Sequence, residues 1–231
     1  ACTSYGTLLF WPFSNERVTW NNISIIDPIF TIPVLILIGI AIKTKRKIFS
    51  FFSIGWIIFY LSLGFIQYER AMSTANDLAE SRGHNPERLT LKPSFGNLIL
   101  WKSIYEHEKT FYVDAIRTVQ SSTVCLGESI KIFDYQEHLP DLDKESQQAL
   151  DIERFRWFSQ DYLGFDEEKS LVTDVRYSML PNQIEPMWGL VIDDLRDTNE
   201  HAIWWTGRDV DESQWNLFVK MLGGKECKVQ S

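Results

Sequence analysis

The chain has 231 residues, 45% of them hydrophobic, and carries 23 Lys/Arg against 31 Asp/Glu, a net charge of −8. That acidic balance excludes a nucleic-acid binder, which needs a basic face. The charge is unevenly divided: residues 1–68 hold five Lys/Arg and two Asp/Glu, net +3, whereas residues 69–231 hold 18 and 29, net −11.

The first stretch, Thr3-Ser-Tyr-Gly-Thr7 through Trp11-Pro-Phe-Ser14, is dense in aromatics and turn formers. No basic segment precedes an apolar one, so it is not a signal peptide. It reads like the middle of a folded protein, and further sequence is expected upstream. Two apolar runs follow, Ile25–Ile42 and Ile48–Ile66, flanking the cluster Lys43-Thr-Lys-Arg-Lys47. Each run is close to the length needed to cross a hydrocarbon core about 30 Å thick. Trp11, Phe13, Trp20, Tyr60 and Tyr68 sit where interfacial aromatics belong. Pro28 suits a first helical turn, and Pro33 is a kink that membrane helices tolerate. The competing reading, two core helices of a soluble protein, predicts extraction without detergent. The basic loop belongs in the cytoplasm by the positive-inside rule. Residues 1–24 and the acidic domain then share the other side of a bacterial inner membrane, in a multi-pass protein.

The second run continues as a helical stalk to Glu80, with Gly83 as its C-cap. Asn97–Tyr105 and Thr110–Thr118 read as a hairpin joined through Glu106–Lys109. A helix is expected over Asp143–Tyr162, and strands over Leu171–Met179, Met187–Asp193 and His201–Thr206. Glu212–Leu222 closes as an amphipathic helix stopped by Gly223-Gly224. The fold class is therefore an α+β membrane protein: a transmembrane helical hairpin, then a mostly antiparallel-sheet domain with helices on one face. The divisions are 1–24 interfacial, 25–66 hairpin, 67–84 stalk and 85–231 acidic soluble domain. Cys2, Cys125 and Cys227 show no metal-site spacing and no paired framework, so free or buried thiols are the default.

No self-sufficient catalytic motif is present: no G-x-S-x-G, H-E-x-x-H, Walker loop or G-x-G-x-x-G. The four histidines are far apart and read as surface or turn residues. Asp141 and Asp143 read as helix-start residues. Two features carry more. Asp27 places a carboxylate at the edge of an apolar run, which requires that it cap, pair or bind a cation; it fits an N-cap ahead of Pro28, alone or beside a functional site. Asp174 and Arg176 fall on one face of a strand, about 7 Å apart at Cα. They form either a surface ion pair or an arginine oriented to grip an anionic group such as phosphate.

The ordered set Thr3-Ser-Tyr-Gly-Thr7, Trp11-Pro-Phe-Ser14, Arg17, Ile26-Asp-Pro-Ile-Phe-Thr31, Pro93-Ser-Phe-Gly-Asn97-Leu-Ile-Leu-Trp101, Trp157-Phe-Ser159 and Val172-Thr-Asp-Val-Arg-Tyr177 resembles the YdjM-like membrane-bound metal-dependent hydrolases. The resemblance implies an inner-membrane hydrolase using a divalent metal. Its expected His and Asp ligands belong just ahead of the Thr3–Thr7 stretch, so the metal ligands are expected upstream of Ala1. What carries over is Thr3 and Ser4 on the near wall of a catalytic site, Asp27 as a ligand or ligand-supporting group, and Arg176, Asp174, Asn97 and Trp101 for substrate. The expected substrate is a phosphoester or lipid-like amphiphile at the membrane surface, with membrane lipid as partner and no nucleic acid. The alternative is a non-catalytic, membrane-anchored sensory or interaction domain.

Overall fold

The structure, a computed structural model, describes residues 6–193, 196–207, 211–225 and 227–229. It is α+β, with two antiparallel sheets. Helix α1 spans Pro28–Thr44, and α2 spans Ile48–Ser81. Asp27 starts α1: its carboxylate accepts from the Phe30 N–H at 3.0 Å while Pro28 fills the first position, where no N–H is needed. Lys45 takes a left-handed φ of 55° and turns the chain back into α2. Two bonds tie the helices together. The Trp56 indole donates to the Phe30 carbonyl at 3.2 Å, and the Tyr60 hydroxyl to the Asp27 carboxylate at 2.8 Å.

Of the two, α2 is long and apolar enough to cross a membrane; α1, with 17 residues, is a shorter apolar helix. Ile32, Leu35 and Ile42 of α1 and Phe51, Phe52 and Ile58 of α2 all stand exposed. An apolar surface of this extent is unfavourable in water and marks a contact surface.

Along α2 the character changes at Gln67. Ala71, Ala75, Leu78 and Ala79 form a buried stripe of mostly small residues, which lets the helix lie close against a sheet. Gly83, at φ 73°, ends it: the His84 N–H bonds the Ala79 carbonyl and the Gly83 N–H the Glu80 carbonyl, the double bond of a Schellman cap. The first sheet then forms from β1 (Arg88–Pro93), β2 (Leu100–His107), β3 (Thr110–Thr118) and β4 (Ser122–Lys131), paired antiparallel in that order. The β2–β3 turn is the two-residue kind, with Glu108 and Lys109 both at positive φ, which matches the twist of the flanking strands. Arg82, just past α2, forks onto buried Asp114 of β3 at 2.6 and 2.9 Å and locks the helix end to the sheet.

A short helix α3 (Tyr135–His138) leads to α4 (Gln147–Ser159). A second antiparallel sheet follows, of β5 (Leu163–Asp166), β6 (Leu171–Asp174), β7 (Trp188–Val191) and β8 (Ile203–Thr206). Ala149, Ile152 and Phe155 of α4 pack with Leu163, Val172 and Leu190 of this sheet. Val175 and Ile184, in the long β6–β7 connection, pack on Ile104, Phe111 and Val113 and join the second sheet to the first. Helix α5 (Glu212–Leu222) and β9 (Lys228–Val229), paired with β4, complete the fold.

Four expectations need correction. Helices lie on both faces of the first sheet, not one. Leu91, Trp101 and Ile116 face α2, while Leu100 and Ala115, on the alternate side of the same strands, meet Phe218 and Met221 of α5. Both faces of β2 and β3 are apolar, so both must be covered. The strand expected over Leu171–Met179 stops at Asp174, whose carboxylate accepts from the Arg176 N–H at 3.1 Å and bends the chain. Ser146, rather than an aspartate, caps α4. Cys125 and Cys227 are disulfide-bonded across 102 residues, where free thiols were expected. Strands β1, β4 and β5 had no counterpart in the sequence reading.

Candidate functional site: a cationic cleft at the membrane mouth

The β1–β2 register sets Lys92 directly opposite Lys102, on the sheet face turned away from α2. The β6–β7 connection folds over them and leaves 6% of Lys92 and 4% of Lys102 exposed. The Lys102 ammonium nitrogen lies 2.7 Å from Ser178 Oγ and 2.6 Å from the Gln183 carbonyl, so one amine pins two points of that connection. Lys92 Nζ donates to the Arg176 carbonyl at 3.3 Å and sits 3.1 Å above the Tyr177 ring.

Among the described residues no carboxylate is bonded to either lysine, and burial penalises a bare charge. Burial pulls the Lys102 amine down to about 7, against the weaker opposing fields of Glu128 and Asp174. Burial also holds Lys92 well below the usual lysine range, reinforced by the positive charges of Arg176 and Lys102. Arg176 behaves differently. Burial works against its charge too, but the guanidinium grips Asp174 through two parallel bonds of 2.8 and 2.7 Å, and its affinity for the proton rises. Its remaining donors reach Gln160 Oε1 at 2.9 Å and the Phe158 carbonyl at 3.3 Å.

These groups line a cleft of about 570 Å³. Lys92 and Lys102 are on its sheet wall; Arg176 to Pro181 and Trp188 are on the opposite wall; Trp215 and Phe218 of α5 close one side. The mouth is formed by Ser24, Ile25 and Ile26, immediately before α1, and by Phe95 in the β1–β2 turn. Ile25, Ile26 and Phe95 are themselves exposed. The Gly96 N–H bonds the Ile26 carbonyl at 3.2 Å and fixes the mouth to the sheet domain. Among the described residues no carboxylate lines the cleft. The space is therefore mostly apolar, faced by two amines and the Arg176 guanidinium, and bordered by the residues that lead into α1. Such a space accepts an anionic group attached to a hydrocarbon.

The structure brings some of the expected site residues together and leaves others apart. Arg176 lines the cleft, and Asp174, fully buried, acts on it through the guanidinium. Asp27 directly follows the mouth residues, with its oxygens committed to Phe30 and Tyr60. Asn97 holds the β1–β2 turn: its side-chain carbonyl accepts from Ile99 and Leu100, and its amide donates to Ser94 and Phe95. Trp101 is fully buried against α2, its indole N–H bonded to the Leu98 carbonyl, on the sheet face away from the lysines. Thr3 and Ser4 lie outside the described residues. Lys92, Lys102 and Ser178 were missed. The available signal was a lysine inside the apolar run Leu98–Tyr105, where solvated lysines do not belong.

The short segments that carried the resemblance also meet. Arg17 lies 4.0 Å over the Trp157 ring, and Arg176 bonds the carbonyl between Trp157 and Ser159. As for the expected divalent metal, among the described residues no three His, Cys, Asp or Glu side chains gather to hold one. The expected ligands belong ahead of Thr3, and the lining of the cleft, which among the described residues carries basic side chains and no carboxylate, does not fit a metal cation.

Compared with known proteins, residues 1–71 match the profile of a family described as YdjM inner membrane protein. Among curated proteins and among solved structures, nothing matches this chain. The family match covers Ser24–Ile26 at the mouth of the cleft, α1 and the apolar part of α2. Together with α2 it places the chain among membrane proteins.

Proposed function

We propose that this protein holds an anionic amphiphile at the surface of the inner membrane, with its charged head between Lys92, Lys102 and Arg176 and its tail leaving past Ile25 and Ile26 into lipid. The observation that carries this reading is the position of the cationic cleft against the residues that start α1. On this reading α1 and α2 form a transmembrane hairpin. The Lys43–Lys47 loop is cytoplasmic and the acidic domain lies on the other side. The Cys125–Cys227 bond supports that placement, since disulfides persist in oxidising compartments. Ion-pairing with an anion raises the proton affinity of Lys92, so binding takes up a proton at neutral and mildly alkaline pH, while the Lys102 nitrogen stays committed to Ser178 and the Gln183 carbonyl. The hydrolase activity implied by the resemblance would use this cleft as its substrate cradle, on a phosphoester or lipid-like amphiphile.

The test is calorimetric titration of hexyl phosphate into the protein in nanodiscs of zwitterionic lipid, with hexanol as the neutral control. The phosphate should bind at least tenfold more tightly than the alcohol, and Lys92→Met/Lys102→Met should abolish the difference. Equal binding of the two ligands, or no effect of the double substitution, refutes the reading. Cleavage of the acidic domain by protease added outside spheroplasts tests the orientation; complete protection would overturn it.

A further inference from the structure

Ser178 stands in the same cleft, half-buried, with its Oγ 2.7 Å from the Lys102 nitrogen. We propose that Ser178 and Lys102 are a nucleophile and its general base, hydrolysing a carboxylic ester of the amphiphile bound in the cleft. This rests on the binding reading above and adds a reaction to it.

The geometry has two of the parts that covalent catalysis by serine needs, a hydroxyl and a buried amine within hydrogen-bond reach. A hydroxyl is inert until a neighbouring base removes its proton, and the two must be within hydrogen-bond reach. A lysine serves as that base when desolvation keeps its amine neutral near physiological pH. Lys102 is buried on a strand, and the Gln183 carbonyl, 2.6 Å away, orients the amine toward Ser178. The serine hydroxyl has one proton and two acceptors in reach: the Leu180 carbonyl at 2.6 Å and, when the amine is neutral, Lys102 Nζ. Rotation about the Cβ–Oγ bond passes the proton from one to the other. An amine between Leu100 and Ile104 is a destabilising choice, since an apolar side chain of similar length fills the space without desolvating a charge.

The reaction balances without an added co-reactant except water. Ser178 Oγ bonds to the ester carbonyl carbon as its proton moves to Lys102. The carbon–oxygen bond to the alcohol breaks, and the alkoxide takes that proton from the Lys102 ammonium. Water then attacks the acyl-serine as its proton moves to Lys102; the bond between the acyl carbon and Ser178 Oγ breaks, Oγ takes that proton back from Lys102, and the carboxylic acid leaves. Glu128, Asp174, Lys92 and Arg176 are the charged groups whose fields act on this amine or its neighbour, and Tyr177 packs beside them. The carboxylates oppose loss of its proton and the cations favour it.

The probe is an alkyl fluorophosphonate, added to the whole protein in nanodiscs and read by peptide mass spectrometry at Ser178. Labelling is expected at Ser178, rising with pH through a midpoint near 7. Ser178→Ala should remove it, and Lys102→Met should slow it more than tenfold while circular dichroism is unchanged. If Lys102→Met fails to fold, Ser178→Cys supplies the readout. Its alkylation by iodoacetamide should be more than tenfold faster at pH 7 than that of a denatured control, as a thiol beside the amine ionises early. No labelling of Ser178 with hexyl phosphate binding intact overturns the catalytic pair and leaves the binding site standing. Loss of both refutes the cleft itself. Labelling unaffected by Lys102→Met refutes the base.

Discussion

Lys102 makes the most demanding prediction, because its burial links folding to pH. Its folded-state affinity for the proton corresponds to about 7 against an ordinary 10.5. Between those values the unfolded chain binds more protons than the folded one, so stability rises with pH across the interval and levels off below it. One such group contributes about 1.4 kcal/mol per pH unit, and at most about 5 kcal/mol over the whole shift. For a chain of this size, about 2–4 °C accompanies each kcal/mol. The melting temperature should therefore climb by roughly 3–5 °C per pH unit from this group. Lys92, also held below its usual range, acts in the same direction. Burial raises the phenols of Tyr105, Tyr135 and Tyr162, which bind their protons more tightly when folded, and this opposes the trend above about pH 9.5. The clean window is pH 7 to 9. Lys102→Met should raise stability at pH 7 and flatten the slope to what Lys92 leaves. The assay is thermal unfolding in nanodiscs, followed by near-ultraviolet circular dichroism at half-unit pH steps. A slope identical in the variant and the parent would show that the amine is not desolvated, and the electrostatics of the cleft would have to be discarded.

Arg176→Met leaves Asp174 fully buried without its cation and should lower stability by about 3–5 kcal/mol in chemical denaturation, whereas Asp174→Asn/Arg176→Met should recover most of that. If the double variant is as unstable as the single, the guanidinium acts through packing rather than through charge. Asp27→Ala removes the α1 cap and strands the Tyr60 hydroxyl, a combined loss of about 2–4 kcal/mol. Asp27→Asn keeps the cap through its amide oxygen and lets its NH2 donate to the Tyr60 oxygen, so it should lose less stability than Asp27→Ala. Reduction should expose two further thiols to a maleimide reagent, those of Cys125 and Cys227, and lower stability by up to about 5 kcal/mol, since the bond closes 102 residues; two thiols already reactive without reductant would contradict the pairing.

Some of this molecule is legible in its residues because the cause is local. Pro28 after Asp27, Gly83 after an apolar stripe, and the start and stop of Glu212–Leu222 are each set by a few neighbouring side chains and the backbone conformations they allow. The same holds for the exposed apolar run in α2 and for the hairpin of β2 and β3, although its turn is confined to Glu108 and Lys109 rather than spread over Glu106–Lys109. Strands β1 and β4 escaped because their burial does not alternate. Strand β1 runs from half-buried to buried, and β4 changes from buried to exposed midway, so neither pattern has a period of two.

The cleft belongs to the other class. Lys92 becomes a site residue only when antiparallel register sets it beside Lys102, and both become so only when a connection more than 70 residues downstream folds across them. Nothing near either lysine in the chain announces that cover, and a lysine on a strand is ordinarily a solvated one. Asp174 and Arg176 show the division within a single pair. Their two-residue spacing determined that they would meet, since a short turn suffices for the carboxylate to reach the guanidinium. Whether the pair would lie on a wet surface or, as it does, in a dry wall was decided by Tyr162, Phe158 and the sheet packed around it. Local chemistry fixes conformation. Solvent exclusion, which gives these charges their altered energies, is a property of the assembled whole.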